Sequence, residues 1–513
     1  MVPLSTFCIF LSIFFPSLSL ALPINLPQRT DSITSFELPI QRQRAVRSGT
    51  TLKRGIYSGN TGLGDFLDLF YTVSITIGQT VTAVNIDTGS SDLWVVSDAC
   101  KTSICKSTDM PAYPSASIKP AGGSVKLLYG DSSTGTHASG PVALDTGVIA
   151  GLSMAQQPFA AISDTNNTSV MQGANGIFGL GFPSGSQVQS AVINAKFNTP
   201  PTTDDFVRGT ASDGPLLSRL AMSGSLEQPM FAVMLQRDII DVSGKNGALT
   251  IGKLPDGIDN SSLTWVPVRL YKPEDGGLIP PTFAPNETYP LRWEVPIDGV
   301  ILDGQRLPTS KFSGSGSTIS ALLDTGNSLI RGPQDVVDSI LRKVSSAFAA
   351  DSNAEPTFPC SLPHDLAFQI GGKTFPVDPR DFMSQKASGD SSTCVANNIV
   401  GTDPPESGAL FSWSFGDPFF KSNLVAFYYG NLTHPSVDPP RIGFLSMVPD
   451  NANSIVQDDI AQAQANGGNF ESTSQAAPTS VASPVVLSPT SISTPTITTT
   501  TTTTTSSLPL LRL

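Results

Sequence analysis

Two distant segments of this chain of 513 residues end in the same three residues. The run Ala83-Val84-Asn85-Ile86 leads into Asp87-Thr88-Gly89, and the run Ala321-Leu322-Leu323 leads into Asp324-Thr325-Gly326. One Asp-Thr-Gly is expected by chance in roughly one chain in ten of this length, whereas two copies with matched flanks are far rarer. The repetition indicates a duplicated element that presents one carboxylate per copy.

Each residue type of the motif suits a strand that ends in a turn. Aspartate supplies a carboxylate at the strand tip, the hydroxyl of Thr88 or Thr325 can brace the loop, and glycine lets a backbone N–H approach the carboxylate. Ser90 could donate to the outer oxygen of Asp87.

If the two loops face each other, both carboxylates cannot ionise, so they share one proton in the acid range. The ionised partner can then take a proton from a water that attacks a carbonyl carbon. The protonated partner can stabilise the oxyanion, and no covalent intermediate forms.

The elements that carry these loops are predicted to be strands. Charged residues make up only 14% of the chain, and 44 Gly and 42 Pro favour many short strands joined by turns over a helical bundle. The run Tyr71 to Ile77 alternates with the period of a strand. We predict an all-β body of two lobes, 55–243 and 244–448, with one Asp loop in each and the cleft between them. Accessory helices are expected at 215–220 and 333–347.

Five motifs occur in a fixed order between Phe66 and Phe444. They are Asp87-Thr88-Gly89-Ser90-Ser91-Asp92-Leu93-Trp94-Val95, Tyr129-Gly130-Asp131, Gly176-Ile177-Phe178-Gly179-Leu180-Gly181, Leu323-Asp324-Thr325-Gly326 and Ser414-Phe415-Gly416-Asp417. This order resembles the pepsin-like aspartic proteases, in particular the secreted fungal ones. The resemblance implies a bilobal β fold and an endopeptidase that binds an extended peptide like an added strand.

The resemblance also implies substrate-binding residues. Tyr129, Gly130 and Asp131 would belong to a β-hairpin flap over the cleft, and the Tyr129 phenol would hydrogen-bond toward Trp94. Asp131 could meet the ammonium group of a lysine before the cut bond, although an ordinary solvated turn residue is an equal alternative.

Three features depart from the family pattern. Asn327 stands where a Ser or Thr usually supports the second aspartate; its amide can still donate, so we expect activity with an altered pKa of the pair. The flap tip at 131–135 is about three residues longer than usual, which could change closure. The stretch 198–214 looks like an insertion without an assignable role.

Cysteines and sequons indicate an exported chain. Four cysteines remain once Cys8 leaves with the signal peptide, and we predict the disulfides Cys100–Cys105 and Cys360–Cys394, each within one lobe. A zinc site fits these irregular spacings poorly. Predicted N-glycosylation sites are Asn166, Asn167, Asn260, Asn286 and Asn431.

Three terminal segments complete the predicted organisation. Residues 1–21 are predicted to be a signal peptide. Residues 22–54 carry six basic residues against two acidic ones and end in Lys53-Arg54, as expected for a propeptide that inhibits its own acidic body until a kexin-like protease or acid releases it. Residues 449–513 are Ser/Thr-rich and predicted to be a disordered tail. The product would be secreted, either free or associated with the cell wall.

Other classes of function have less support. No His-Glu-x-x-His and no Gly-x-Ser-x-Gly occurs, so zinc and serine mechanisms lack a motif. We expect no metal, no cofactor and no nucleic-acid partner, and a monomer, because one chain supplies both loops. The rival is a non-catalytic binding protein on the same scaffold, which the presence of both aspartates disfavours. The natural substrate and pH optimum stay open.

Overall fold

The computed structural model describes residues 56–130, 135–197, 201–240, 247–311, 319–402, 411–478 and 484–487. The predicted signal peptide and propeptide lie outside the described residues. The strands are, in chain order, β1 Gly59–Gly62, β2 Gly64–Phe66, β3 Phe70–Ile77, β4 Thr80–Asp87, β5 Leu93–Val96, β6 Pro120–Tyr129, β7 Thr136–Ile149, β8 Leu152–Ile162, β9 Asp164–Thr165, β10 Gly176–Gly179, β11 Met230–Met234, β12 Ala248–Ile251, β13 Thr264–Pro267, β14 Glu294–Pro296, β15 Gly299–Leu302, β16 Gln305–Arg306, β17 Ser320–Leu323, β18 Ile330–Gly332, β19 Thr357–Pro359, β20 Leu366–Ile370, β21 Lys373–Pro376, β22 Ser384–Ala387, β23 Asp390–Val395, β24 Ile399–Gly401, β25 Trp413–Phe415, β26 Asn423–Tyr428, β27 Arg441–Ser446, β28 Ser474–Gln475 and β29 Val485–Leu487.

The helices of the described residues are fewer and shorter. They are α1 Gln187–Phe197, α2 Thr203–Asp213, α3 Leu216–Met222, α4 Gln334–Val344, α5 Ser346–Ala350, α6 Pro379–Phe382, α7 Asp417–Ser422 and α8 Ala452–Ala465. None of the helices in these ranges is long and apolar enough to cross a membrane.

One large sheet builds the first lobe. Its main path runs β28-β2-β3-β4-β10-β5-β8-β7-β6, with β9 on β7 and β29 on β8. The alternation read in β3 is real, because Tyr71, Val73, Ile75 and Ile77 are all buried. At the end of the sheet, β6 and β7 form an antiparallel hairpin in which Tyr129 pairs with Thr136. This hairpin is the predicted flap.

Three smaller sheets build the second lobe, and a shared sheet joins the lobes. The smaller sheets run β14-β17-β25-β18-β24, β16-β15-β20-β21 and β19-β23-β22. The shared sheet runs β1-β12-β11-β26-β27-β13. Its two halves, β1-β12-β11 and β26-β27-β13, meet where β11 pairs with β26. The all-β bilobal expectation is confirmed. The predicted boundary at 243/244 lies outside the described residues, and β12 beyond it belongs to the shared sheet.

Aromatic side chains fill the junction beneath the shared sheet. Phe182 from the first lobe packs on Trp293 and Tyr429 from the second, with ring centroids 4.1 and 5.6 Å apart. Both Trp293 Nε1 and Tyr429 Oη donate to the carbonyl of Leu180, at 3.0 and 2.7 Å. Buried aromatic pairs with satisfied polar tips contribute both apolar burial and fixed geometry, so the junction holds the two lobes in register.

The helices partly match their predictions. The helix expected at 215–220 is α3, which starts after Pro215. The single helix expected at 333–347 is divided, because Ser345 is extended and its hydroxyl caps α5 by accepting from the Phe348 N–H at 3.2 Å. The stretch 198–214 contains α2, which opens with a capping box between Thr202 and Asp205.

The prediction of a disordered tail from residue 449 is wrong for its first part. Val456, Ile460 and Ala463 recur at helical spacing and are buried, so 452–465 folds as α8 against α6 and β23. The chain then returns to the first lobe, where Gln475 of β28 pairs with Asp65 of β2 and β29 pairs with β8. The prediction was wrong because it rested on the average composition of 449–513, which is Ser/Thr-rich, and not on the helical spacing of the few apolar residues in 452–465.

Candidate active site

Each Asp-Thr-Gly loop follows a strand that lies parallel to a second strand of its own lobe. In β4, Asp87 pairs with Gly179 of β10, and in β17, Leu323 pairs with Phe415 of β25. The Asp324 N–H donates to the carbonyl of Phe415 at 2.9 Å. Because the two lobes use the same arrangement, they present their strand ends to each other across the cleft.

The two threonines bind the loops together. Thr88 Oγ1 donates to the carbonyl of Leu323 at 2.7 Å and accepts from the Thr325 N–H at 3.0 Å. Thr325 Oγ1 makes the mirror bonds, donating to the carbonyl of Ile86 at 3.0 Å and accepting from the Thr88 N–H at 3.1 Å. Both side chains are buried. Four hydrogen bonds away from water therefore fix the distance between the loops.

The carboxyl groups of Asp87 and Asp324 lie within hydrogen-bonding reach of each other. The glycines permit this approach: a Cβ on Gly89 would lie 2.5 Å from Asp324 Oδ1, and one on Gly326 would lie 2.6 Å from Asp87 Oδ1. Their N–H groups donate to the aspartate of their own loop, at 2.8 Å for Gly89 and 2.9 Å for Gly326. Any larger residue would separate the pair.

The two aspartates have unequal surroundings. Asp87 accepts from the N–H groups of Gly89 and Ser90 and from the Ser90 hydroxyl, which offset part of the pKa rise that its burial causes. Among the described residues Asp324 has one such donor, the Gly326 N–H, and burial followed by the charge of Asp87 raises its pKa to about 8. A proton shared by the pair therefore resides mainly on Asp324 in the free site.

Asn327 does not support Asp324 in the way its position predicted. Its Nδ2 donates to Ser414 Oγ at 3.0 Å, while its Oδ1 accepts from Leu329 N–H at 3.2 Å and Arg331 Nε at 3.3 Å. The longer amide side chain reaches past the carboxylate and binds β25 and β18. Asp324 consequently lacks the side-chain donor that Ser90 gives Asp87.

The flap residue Tyr129 contacts Trp94 as expected. Trp94 Nε1 donates to the Tyr129 hydroxyl at 2.8 Å, and Trp94 is fully buried under the flap. Burial and the charges of Asp92 and Asp87 raise the pKa of Tyr129, so its phenol stays protonated. Gly130 follows with φ of 81°, a left-handed conformation that glycine adopts without strain. Asp131 and the following residues of the flap tip, up to residue 134, lie outside the described residues.

Other residues shape the cleft without having been singled out. Asp92 caps α1 by accepting from the N–H groups of Gln187 and Val188, at 2.9 and 3.1 Å, which anchors the first Asp loop. A cavity of about 620 Å³ lies between this loop and the flap. Lys126 of the flap and Arg292 line it. No local pattern marks Arg292 or Lys126, because each approaches the cleft only through the fold.

The structure contains both predicted disulfides, Cys100–Cys105 and Cys360–Cys394. Among the predicted glycosylation sites, Asn166, Asn260 and Asn286 are exposed and Asn431 is half-buried. Asn167 does not fit the expectation of a surface site: it is buried, and its Nδ2 donates to Thr136 Oγ1 at 3.2 Å. Its Oδ1 caps the following turn, so the adjacent Asn166 is the accessible member of the pair.

A cleft between two β lobes, with paired carboxyl groups held by reciprocal threonines and covered by a flap, defines the aspartic peptidase class. Residues 70–434 match the family model described as eukaryotic aspartyl protease. An aspartic protease of Phaffia rhodozyma is 27% identical over 74% of this chain and 76% of its own length. Major aspartyl peptidase 1 of Cryptococcus neoformans var. grubii is 24% identical over 76% of this chain and 71% of its own. Embryonic pepsinogen of Gallus gallus is 27% identical over 69% and 76%.

The chain belongs to the eukaryotic aspartyl protease family. It is an aspartic-type endopeptidase of the pepsin type.

Proposed function

We propose that this chain is a secreted endopeptidase that hydrolyses proteins at acid pH through a water activated by Asp87 and Asp324. The observation that carries the proposal is the pair of carboxyl groups within hydrogen-bonding reach, with unequal donors around them. Asp87, the better stabilised anion, takes the proton from the water. Asp324 donates its proton toward the peptide carbonyl oxygen as charge develops there. No cofactor takes part.

The substrate is an extended peptide held between the loops and the flap. An extended backbone can pair with strand edges while its side chains alternate between pockets, which suits a cleft beneath a hairpin. Tyr129 and Trp94 fix the flap base through their hydrogen bond. Gly130 gives the flap a glycine joint directly before its tip.

Export and activation follow from the termini. Residues 1–21 direct secretion, and the basic residues 22–54 act as an intramolecular inhibitor until cleavage after Lys53-Arg54. A relative named as a pepsinogen supports synthesis as a precursor. The mature protein acts as a monomer on protein or peptide substrates, without nucleic acid. The secreted protein would act outside the cell, either free or associated with the cell wall through its Ser/Thr-rich tail.

The test compares single Asp→Asn variants in casein digestion at mildly acid pH. Asp87→Asn and Asp324→Asn remove the carboxylate while keeping its shape, and each should reduce digestion to background. The matched control is Asp450→Asn, an exposed residue before α8, which should digest casein at the unaltered rate and be blocked by pepstatin. Full digestion by either dyad variant would refute the two-aspartate mechanism. No digestion by the unaltered enzyme after release of the pro-segment would leave only a binding protein.

A further inference from the structure

The cavity beside the aspartate pair is lined by two cationic side chains. Arg292 is an exposed residue just before β14, and its Nη1 donates to the carbonyl of Gly89 at 3.4 Å. Lys126 lies on the exposed face of β6, two residues from the exposed Leu128, while Leu127 between them is buried. Both residues are nevertheless among those that line the cavity.

Neither cation has a carboxylate partner among the described residues. Other basic residues of the fold do: Arg269 binds Glu294 at 3.1 Å, for example. Exposed basic residues such as Lys373 also have no carboxylate partner among the described residues, so the position of Arg292 and Lys126 in the cavity is what distinguishes them. Their positive charge is available to a ligand.

The buried carboxylates near the cavity are already committed. Asp92 is buried and accepts from the N-terminus of α1 and from Ser186 Oγ at 2.6 Å. Asp87 and Asp324 form the reacting pair. Gly276 also lines the cavity, and the two residues before it are acidic. Of these, Glu274 lies 3.9 Å from Lys272, and Asp275 is next to it in the same turn.

The guanidinium of Arg292 lies close to the reacting centre. It contacts the carbonyl of Gly89, whose N–H donates to Asp87 Oδ1 at 2.8 Å. A peptide bound as a strand advances about 3.3 Å per residue. A side chain that meets Arg292 therefore belongs to a residue about one to three positions from the cut bond.

We propose that Arg292, assisted by Lys126, is a specificity residue that selects substrates with an aspartate or glutamate within three residues of the cut bond. This inference rests on the proposed function. A carboxylate can accept two parallel N–H bonds from a guanidinium, and here it would replace the long contact to Gly89 with a charged one. An amide of the same shape lacks that charge.

Arg292 also acts on the pair itself, since its charge lowers the pKa of Asp324 against the larger opposing effects of burial and Asp87. That effect changes the hydrolysis of every peptide alike. The comparison of two peptides that differ only in Glu or Gln cancels it. The ratio of their kcat/KM values therefore reports the contact with substrate alone.

The experiment uses pairs of peptides with one cut bond, whose place is found by mass spectrometry. The two peptides of a pair differ only in having Glu or Gln at one position, and the pairs cover every position within three residues of that bond. The unaltered enzyme should favour Glu at one such position by about threefold to tenfold at pH 5.0. At pH 3.0 the glutamate is protonated, because its ordinary pKa is about 4.3, and the ratio should approach one. Arg292→Gln should bring the ratio at pH 5.0 close to one, and Lys126→Gln should lower it partly.

The matched control is Lys373→Gln, an exposed residue on β21 outside the cavity, which should leave the Glu/Gln ratio unchanged. A ratio of one in the unaltered enzyme at every position, or an unchanged ratio in Arg292→Gln, overturns the inference. So does a variant that shifts only the pH profile. These results all require hydrolysis of the Gln peptide, whereas failure of the proposed function would abolish hydrolysis of both.

Discussion

Lys421→Met tests a buried ionic cluster that joins the lobes behind the aspartate pair. Lys421 Nζ lies 2.8 Å from Asp68 Oδ2 and 3.4 Å from Asp381 Oδ1, and all three side chains are at most 7% exposed. Asp381 keeps a second cation, since Arg237 lies 2.6 Å from its Oδ2. Asp68 keeps the N–H of Asp238 at 2.5 Å and a side-chain hydrogen bond with Asp65, but no second cation among the described residues. Removal of the lysine therefore leaves one buried carboxylate without a counter-charge.

The expected loss is about 3 to 5 kcal/mol in the free energy of unfolding at pH 6.5, the usual cost of breaking a buried pair. The loss should shrink as the pH is lowered from 6.5 to 3.5, toward the folded pKa of Asp381. Burial alone would raise the pKa of Asp381, but Arg237 and Lys421 together lower it. A depressed pKa stabilises the fold above the unfolded value near 3.9 and loses that contribution as the pH falls through the folded value. The contribution of Lys421 to the free energy of unfolding therefore decreases in acid.

The assay is urea unfolding followed by tryptophan fluorescence at both pH values, in an Asp87→Asn background that prevents self-digestion. Lys373→Met, which removes an exposed lysine, should change stability by less than about 0.5 kcal/mol. Adding Asp68→Asn to Lys421→Met should recover part of the loss, because it removes the uncompensated charge. A loss below about 1 kcal/mol at pH 6.5, or a larger loss at pH 3.5 than at pH 6.5, would refute the reasoning.

Three further outcomes are expected. Thr88→Ala leaves a buried carbonyl and a buried N–H unpaired, so it should cost about 2 to 4 kcal/mol of stability and most of the kcat, whereas Thr88→Ser should keep both. Trp94→Phe removes the bond to Tyr129 and should lower kcat/KM about fivefold in steady-state assays without a comparable loss of stability; an unchanged value would disconnect that bond from the flap. A chain that ends at residue 470 should unfold at least about 2 kcal/mol more easily than one ending at 487, because it loses β28, β29 and the buried Leu487.

Predictions from the sequence were correct where the structure depends on residues that are close to each other along the chain. An apolar run that ends in Asp-Thr-Gly specifies a strand and a tight loop, and the pairing of Cys100 with Cys105 spans five residues. The same kind of reasoning was wrong for the start of the tail, because the polar composition around them outweighed the buried residues Val456, Ile460 and Ala463 of α8. Asn327 failed because the side-chain type shows that an amide can donate but does not show which acceptor lies within reach.

The sequence by itself determined the chemistry available to this protein: two carboxylates on duplicated loops, an export-type cysteine pattern and a β body. The tertiary structure alone decided what surrounds that chemistry. Arg292 meets Gly89 across 203 residues, and Lys421 meets Asp68 across 353. Such contacts carry no local periodicity, since each residue is compatible with many surfaces until packing of the two lobes selects its neighbours. The charge lining the cleft and the ion pairs beneath it therefore follow from the fold rather than from any motif.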